Sequence, residues 1–336
     1  MAKSSPSDPS YHHQSPMLFS ALLILGLVTT QAVVAPSMPT EAAIKVVAGN
    51  DVVADLVRAI AGQDVELFVL GQGADAHHYE PTPADAKKIE SADLVIEFGL
   101  GLDRAMGKLH RSTGSKAKLL VVAEGLAKKG SDAAVTDHAD HADHADHADH
   151  DHNHDHGSSA VDPHIWHDPA QVRILNERIC AALVAVRPTS AESFRSRSLE
   201  LDTQLVKLDE WIKTQVLLIQ ESKRLLVTTH DGLQSFGNRY GFRVVGIEMT
   251  SDGADVAPSQ LIKMVNALRE TKSAVVFGDA AHHSRIAATV AREANVRLIE
   301  TLRLDSLLQP PAAEQGKAYL ETMRLNVNTI VKALQD

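Results

Sequence analysis

Short apolar runs rich in β-branched residues alternate with segments of helical period along most of the chain. IKVVAG (Ile44 to Gly49), VELFVLG (Val65 to Gly71), DLVIEFG (Asp93 to Gly99) and KLLVVAEG (Lys118 to Gly125) each end on glycine, and patterns such as DVVADLVRAIAG and PADAKKIESA lie between them. This alternation predicts βαβ units and a parallel sheet. The plan recurs further on with RLLVTTH (Arg224 to His230), FRVVGIE (Phe242 to Glu248), SAVVFGD (Ser273 to Asp279) and VRLIETL (Val296 to Leu302), followed by a helix running to the C-terminus. Between the two sets the pattern is helical, through QVRILNERICAALVAV, a break at Arg187-Pro188 and a second segment to Ile219. Apolar positions Phe194, Leu199, Leu201, Leu205, Leu208, Trp211 and Ile212 approximate one stripe of that second helix. At 1.5 Å per residue it would cover about 45 Å, long enough to serve two lobes.

The expected fold is therefore α/β, with two pseudo-symmetric lobes, each a parallel sheet flanked by helices, joined by one long rigid helix. The expected division is a leader and signal peptide over 1–35, an N-terminal lobe over 36–187, a linking helix over 188–221 and a C-terminal lobe over 222–336. The N-terminal lobe carries an insertion at 132–160, expected to be disordered.

The chain has 336 residues, 44% of them hydrophobic, which is enough for two lobes with real cores. Formal net charge is −10, and seven aspartates of one run carry most of it. The remainder is nearly balanced, so no basic surface invites nucleic acid. MLFSALLILGLVTTQA (Met17 to Ala32) has an apolar core followed by small residues at Thr30 and Ala32, the pattern of a secretory signal. Only Lys3 precedes it as a positive charge. A membrane anchor is the competing reading, but the run falls short of the roughly 20 residues a span requires and is broken by Thr29, Thr30 and Gln31. Cys180 is the single cysteine; it excludes an internal disulfide and does not stand at a lipid-attachment point. The address expected is periplasmic, as a soluble monomer.

Four distant stretches place histidine or aspartate at a strand end or helix start: GADAHHYEPTPAD (Gly73 to Asp85), VDPHIWHDP (Val161 to Pro169), VTTHDGLQSFGNRYG (Val227 to Gly241) and TLRLDSLL (Thr301 to Leu308). Ligands of open parallel sheets bind beyond the carboxyl ends of the strands. Prolines stiffen the chain behind His77, and His164 sits between Asp162-Pro163 and Trp166. Asp168-Pro169 reads as an N-cap followed by proline in the first helical turn. His230 ends a strand, and Asp231 after it reads as the cap of the next helix. Asp305 follows the last strand, either as a ligand or as the N-cap of a short turn. His77, His164, His230 and Asp305 make an N₃O set, which favours tetrahedral zinc over a hard-cation site built of oxygens.

These motifs resemble those of the substrate-binding proteins of zinc and manganese ABC transporters, the cluster A-I group with ZnuA-like, TroA-like and AztC-like members. The resemblance runs from IKVVAGN to the C-terminal helix. It implies His77 rather than His78 as first ligand, then His164, His230 and Asp305, with Glu80, Asp279 or water as alternatives for the last place. His167 stands where members more often have an apolar residue. A histidine at the third position implies Zn²⁺ as the transported ligand over Mn²⁺. The resemblance further implies a permease and its ATPase as partners, and a periplasmic zinc chaperone is a further candidate. Some zinc members have a disulfide in the second lobe that a one-cysteine chain cannot form.

DHADHADHADHADHDHNHDHG (Asp137 to Gly157) holds eight histidines and seven aspartates with no apolar residue larger than alanine. Such a run cannot bury enough surface to fold, but it offers many interchangeable two-histidine chelates. Three functions follow from these features: zinc capture for a permease, a zinc hydrolase and a zinc buffer or chaperone. Against the hydrolase, no HExxH pair is present and Asp305 would close the position that a catalytic zinc leaves open. The expectation is a non-enzyme that captures zinc.

Overall fold

The computed structural model describes residues 41–72, 79–126, 162–247, 257–281, 284–309 and 316–335. The chain separates into two units, residues 1–41 and 42–336, and everything below concerns the second. The signal-like segment and the His/Asp run lie outside the described residues, as do the linkers around them.

Two four-stranded parallel sheets carry the fold. The first contains β1 (Ile44–Ala48), β2 (Val65–Val69), β3 (Leu94–Glu97) and β4 (Lys118–Val121), in the order β2-β1-β3-β4. The second contains β5 (Leu225–Thr228), β6 (Arg243–Gly246), β7 (Val275–Asp279) and β8 (Arg297–Leu302), in the equivalent order β6-β5-β7-β8. Central strands must be apolar on both faces, and β1, β3, β5 and β7 are the ones whose residues are almost all buried, whereas the edge strands are partly exposed. The pleat divides each central strand between two cores. Ile44, Val46 and Ala48 join the main core, and Val47 and Val95 join a smaller one beneath the first sheet. In the second sheet Leu226, Val275 and Phe277 face the main core, with Val227 and Val276 turned the other way.

The helices sort into outer and inner sets. α2 (Pro83–Glu90) and α3 (Arg104–Thr113) cover the outer face of the first sheet through Ile89 and Met106. α7 (Pro258–Glu270) and α8 (Arg285–Ala294) do the same for the second through Val265, Leu268 and Val290. α1 (Asp51–Ala61), α4 (Pro169–Val186), α5 (Ala191–Val216) and α9 (Ala318–Gln335) share the main core, which runs without interruption from β1 to α9.

α5 is the expected long helix, now with its bounds: Pro188–Ser190 forms a 3-10 turn ahead of it, and it ends at Val216. Its 26 residues span about 39 Å. Phe194, Leu201, Leu205, Leu208 and Ile212 are buried on it, and it packs against α1 and α4 and, further on, α9. Leu199 departs from the predicted stripe at 68% exposure: it stands at the open groove between α4 and α5, beside Ser198 and Asp202, rather than in the core. A buried reciprocal pair, Asn176 Nδ2 to the Ser198 carbonyl (2.9 Å) and Ser198 Oγ to Asn176 Oδ1 (3.1 Å), locks α4 to α5. Cys180 is a buried free thiol, as its helical context predicts. Among the described residues no helix is long and apolar enough to cross a membrane.

Candidate metal centre

In the second sheet β5 connects to β6 on one side while β7 lies on the other, so the chain direction switches between β5 and β7. In open parallel sheets such a switch point, at the carboxyl ends of the strands, is where ligands bind. His230 lies two residues past β5, Asp279 is the last residue of β7, and Asp305 lies three residues past β8. Opposite them, His164 stands immediately before a 3-10 turn, Ile165–His167, that leads into α4. Asp168 caps α4 by accepting from the Ala170 N–H at 2.9 Å, with Pro169 as the first helical residue.

His164, His230 and Asp305 converge. The Nε2 atoms of the two histidines are 3.2 Å apart, His164 Nε2 is 3.0 Å from Asp305 Oδ1, and His230 Nε2 is 3.4 Å from Asp305 Oδ2. His164 is buried and the other two are partly so. Among the described residues these three form the group whose donor atoms could hold one metal ion. His77 lies outside the described residues, between Gln72 and Tyr79.

The group is supported by residues that the strand-end argument did not single out. Asp162 Oδ1 accepts from both the His164 Nδ1–H (2.7 Å) and the His164 backbone N–H (2.9 Å), which fixes the ring with Nε2 towards His230 and Asp305. Asp279, the alternative for the last place, lies outside that group. Its Oδ2 accepts from the Leu304 N–H at 2.6 Å and the Asp305 N–H at 3.3 Å, and its Oδ1 from the Ala281 N–H at 2.5 Å. It holds the backbone that carries Asp305. Glu80 is exposed and outside the group. On the other side, the Leu304 carbonyl accepts from Trp166 Nε1–H and His167 Nε2–H, each at 3.0 Å.

Two sequence readings change here. Asp231 does not cap the following helix: α6 (Gln234–Tyr240) starts three residues later, with Leu233 in the cap position and no side-chain cap bond. Asp305 does not cap a helix either, since the residues from Arg303 to Gln309 form no helical turn. α6 is held instead by Asp209 of α5, which accepts two bonds from Arg239 (3.1 and 2.7 Å) and one from Tyr240 Oη (2.9 Å). Although burial opposes its charge, these donors and Lys213 bring the Asp209 carboxyl down to about 2.

The protonation states follow from this geometry. Burial disfavours a charged His164, but the hydrogen bonds to Asp162 and Asp305, and their charges, outweigh it and raise the imidazole to about 9. Asp162 is partly buried, which opposes its charge, yet its bond to His164 and that ring's charge lower its carboxyl. His167 is the opposite case: burial and the charge of His164 depress it to about 4, so it stays neutral with one N–H to donate. A charged imidazole has no free lone pair, so a cation binding at His164 Nε2 would have to displace a proton.

The likeness to known proteins extends over most of the chain. Residues 46–333 match the family described as zinc-uptake complex component A, periplasmic (ZnuA). Among curated relatives, the manganese-binding lipoprotein MntA of Bacillus subtilis strain 168 is 27% identical over 324 residues, covering 95% of this chain and 97% of MntA. The manganese ABC transporter substrate-binding lipoprotein PsaA of Streptococcus pneumoniae serotype 4 is 29% identical over 295 residues, 87% of this chain and 89% of PsaA. The periplasmic zinc binding protein TroA from Treponema pallidum shares the fold, with a TM-score of 0.70 at 23% identity over 87% of this chain and 99% of that one. A periplasmic metal binding protein from Candidatus Liberibacter asiaticus, also solved in manganese- and cadmium-bound forms, has a TM-score of 0.68 at 25% identity, covering 86% and 98%. The chain belongs to the ZnuA family, whose members are metal-binding substrate-binding components of ABC transporters and not enzymes.

Proposed function

We propose that the protein captures Zn²⁺ at His77, His164, His230 and Asp305 in the periplasm and, as a monomer, hands it to an ABC permease driven by its ATPase. A periplasmic zinc chaperone is a candidate donor. The supporting observation is the spacing of the donor atoms. Zinc bonds of 2.0–2.1 Å in a tetrahedron place neighbouring donors about 3.3–3.4 Å apart. The separations of 3.0, 3.2 and 3.4 Å bracket that edge, although Asp305 presents a different oxygen to each histidine. A fourth ligand at His77, implied by its motif, would close the tetrahedron with imidazole nitrogen, the donor that suits zinc.

The names of MntA and PsaA favour a second reading, manganese, at the same residues. A set of three nitrogens and one carboxylate argues against it, because manganese suits oxygen-rich sites. Calorimetric titration of the protein with Zn²⁺ and with Mn²⁺ separates the two. One tight zinc site is expected, lost when His77, His164 and His230 are all changed to alanine. Tighter manganese than zinc would reverse the order of the readings, and tight zinc binding surviving the triple change would remove the site.

A further inference from the structure

The Leu304 carbonyl receives two N–H groups from one turn of the chain. Trp166 Nε1 and His167 Nε2 both donate to it at 3.0 Å, across 138 and 137 residues of sequence. That turn begins at His164, and the residue after Leu304 is Asp305. The bonds therefore tie the segment bearing one candidate ligand directly to the segment bearing another.

We propose that His167, together with Trp166, straps Asp305 to His164 before any ion arrives, making His167 a positioning residue that sets how slowly the bound metal leaves. This rests on the zinc reading above and adds a residue to it.

Three features distinguish a strap from simple packing. The first is completeness: the Leu304 carbonyl is held by the two rings, and the Leu304 and Asp305 N–H groups are held by Asp279 Oδ2, so the backbone is restrained from both directions where the carboxylate emerges. The second is anchoring. The Trp166 carbonyl accepts from Tyr319 Oη at 2.8 Å, and the Trp166 ring meets the edges or faces of Phe98 at 5.2 Å and His164 at 5.1 Å. The strap thus pulls against α9 and the first sheet rather than against a free loop. The third is its chemistry. His167 is 2% exposed. A buried imidazole carries a desolvation penalty that an aliphatic side chain would avoid, and its N–H has to be satisfied. Here it is spent on the one carbonyl beside Asp305, and the ring remains neutral and singly protonated at any pH near neutrality.

Without the strap Asp305 could withdraw with its backbone, and opening of that corner would be the first step of ion release. Loss of an outer group that orients a metal ligand typically weakens binding about 10–100-fold. Since Trp166 still serves the carbonyl when His167 is replaced, the lower end applies.

The test is stopped-flow release of zinc from the whole protein into excess chelator. His167→Leu should release zinc about tenfold faster, with association changed by less than about twofold. His167→Gln, whose amide can donate to the same carbonyl, should recover to within about threefold of the original rate. A role in packing alone predicts lower melting temperatures in both variants with unchanged release, which would refute the strap. If His167→Leu does not fold, Trp166→Phe keeps an aromatic ring in place and removes the other donor, and it should accelerate release to the same degree; an unchanged rate there is equally fatal. His230→Ala separates the two levels. Unaltered release from His167→Leu, alongside loss of tight zinc in His230→Ala, overturns the strap and leaves the zinc site standing. Tight zinc retained in His230→Ala overturns the site and the strap together.

Discussion

Replacing Asp162 with alanine should weaken zinc binding more than it weakens the fold. Its Oδ1 accepts two bonds, from the His164 ring Nδ1–H at 2.7 Å and from the His164 backbone N–H at 2.9 Å, while Oδ2 accepts a longer one from Ser235 Oγ at 3.5 Å. Leaving a buried donor unsatisfied costs about 1–3 kcal/mol. The Asp162 side chain is 23% exposed, so water can reach part of the space an alanine would leave. The lower part of the range applies to each bond, and about 2 kcal/mol of stability should be lost in the metal-free protein. For zinc the loss is of another kind. Without Asp162 the ring is free to rotate and its Nε2 is less basic, and outer carboxylates of this type contribute about 10–100-fold in affinity. Asp162→Asn retains an oxygen that can accept both bonds but removes the charge, so it should fall between the original protein and alanine. Competition against a chromophoric zinc chelator at constant pH and ionic strength measures the affinities, and urea denaturation of the metal-free forms measures the stabilities. Zinc affinity in Asp162→Ala within about twofold of the original would refute the account of how His164 is held.

Other consequences are as direct. Trp166 lies against His164 while Trp211 lies under Arg324, 4.8 Å from its guanidinium carbon, so a zinc-dependent change in tryptophan emission should persist in Trp211→Phe and vanish in Trp166→Phe. Burial, and then the charge of Asp103, raise the Glu97 carboxyl to about 7, against 4.5 ordinarily. A group raised in the folded state contributes stability below its unfolded value and loses it as pH rises through the folded one. Glu97→Gln should therefore leave stability unchanged near pH 4 and increase it above pH 7, and a gain confined to acid would contradict that sign. A Cβ on Gly237 would come within 2.5 Å of Val244 Cγ2 and 2.9 Å of the Phe242 carbonyl oxygen. Gly237→Ala should thus force α6 away from β6 and lower stability by about 1–3 kcal/mol, read by thermal melting. Deleting 132–160 should leave the tight zinc site at its original affinity and remove the weaker equivalents from a titration; a loss of the tight site would move the centre into the run.

Much of the fold is legible because central parallel strands have to be apolar on both faces. The runs around Ile44, Leu94, Leu226 and Val275 satisfy that requirement, and they became β1, β3, β5 and β7. The Asp168-Pro169 start of α4 was equally legible, since a cap and a proline act locally. Signals that depend on which way an element faces were not. Leu199 fits the helical stripe by spacing, but only the neighbours of α5 decide that its turn faces water. Asp231 has the chemistry of a cap, yet the chain runs on to Leu233 before turning helical. At the site, strand-end reasoning led to His230 and Asp305, which lie 3.4 Å apart in the structure. It could not separate Asp305 from Asp279, because a carboxylate after a strand reads the same whether it faces an ion or two backbone N–H groups. Asp162 did leave a signal: an aspartate two residues before a constrained histidine, next to proline, is the pattern of a side chain that folds back on the backbone.

The most histidine-rich sequence in the chain and the candidate centre differ in when their ordering takes place. The run Asp137 to Gly157 has eight histidines, and its composition predicts nothing that could hold any two of them together in advance. Bringing two or three residues into register on binding opposes the ion with about 1–2 kcal/mol of backbone entropy for each residue. At about 1.4 kcal/mol per tenfold, that weakens each such chelate by roughly thirtyfold or more. At the candidate centre folding already orders two of the donors: Asp162 holds the His164 ring, and Asp279 with the two rings on Leu304 holds the backbone that carries Asp305. Under the zinc reading, what an ion still has to displace there is a proton. A dense run and a sparse site can therefore act in series, because donor number governs how often an ion is met and preorganisation governs where it stays.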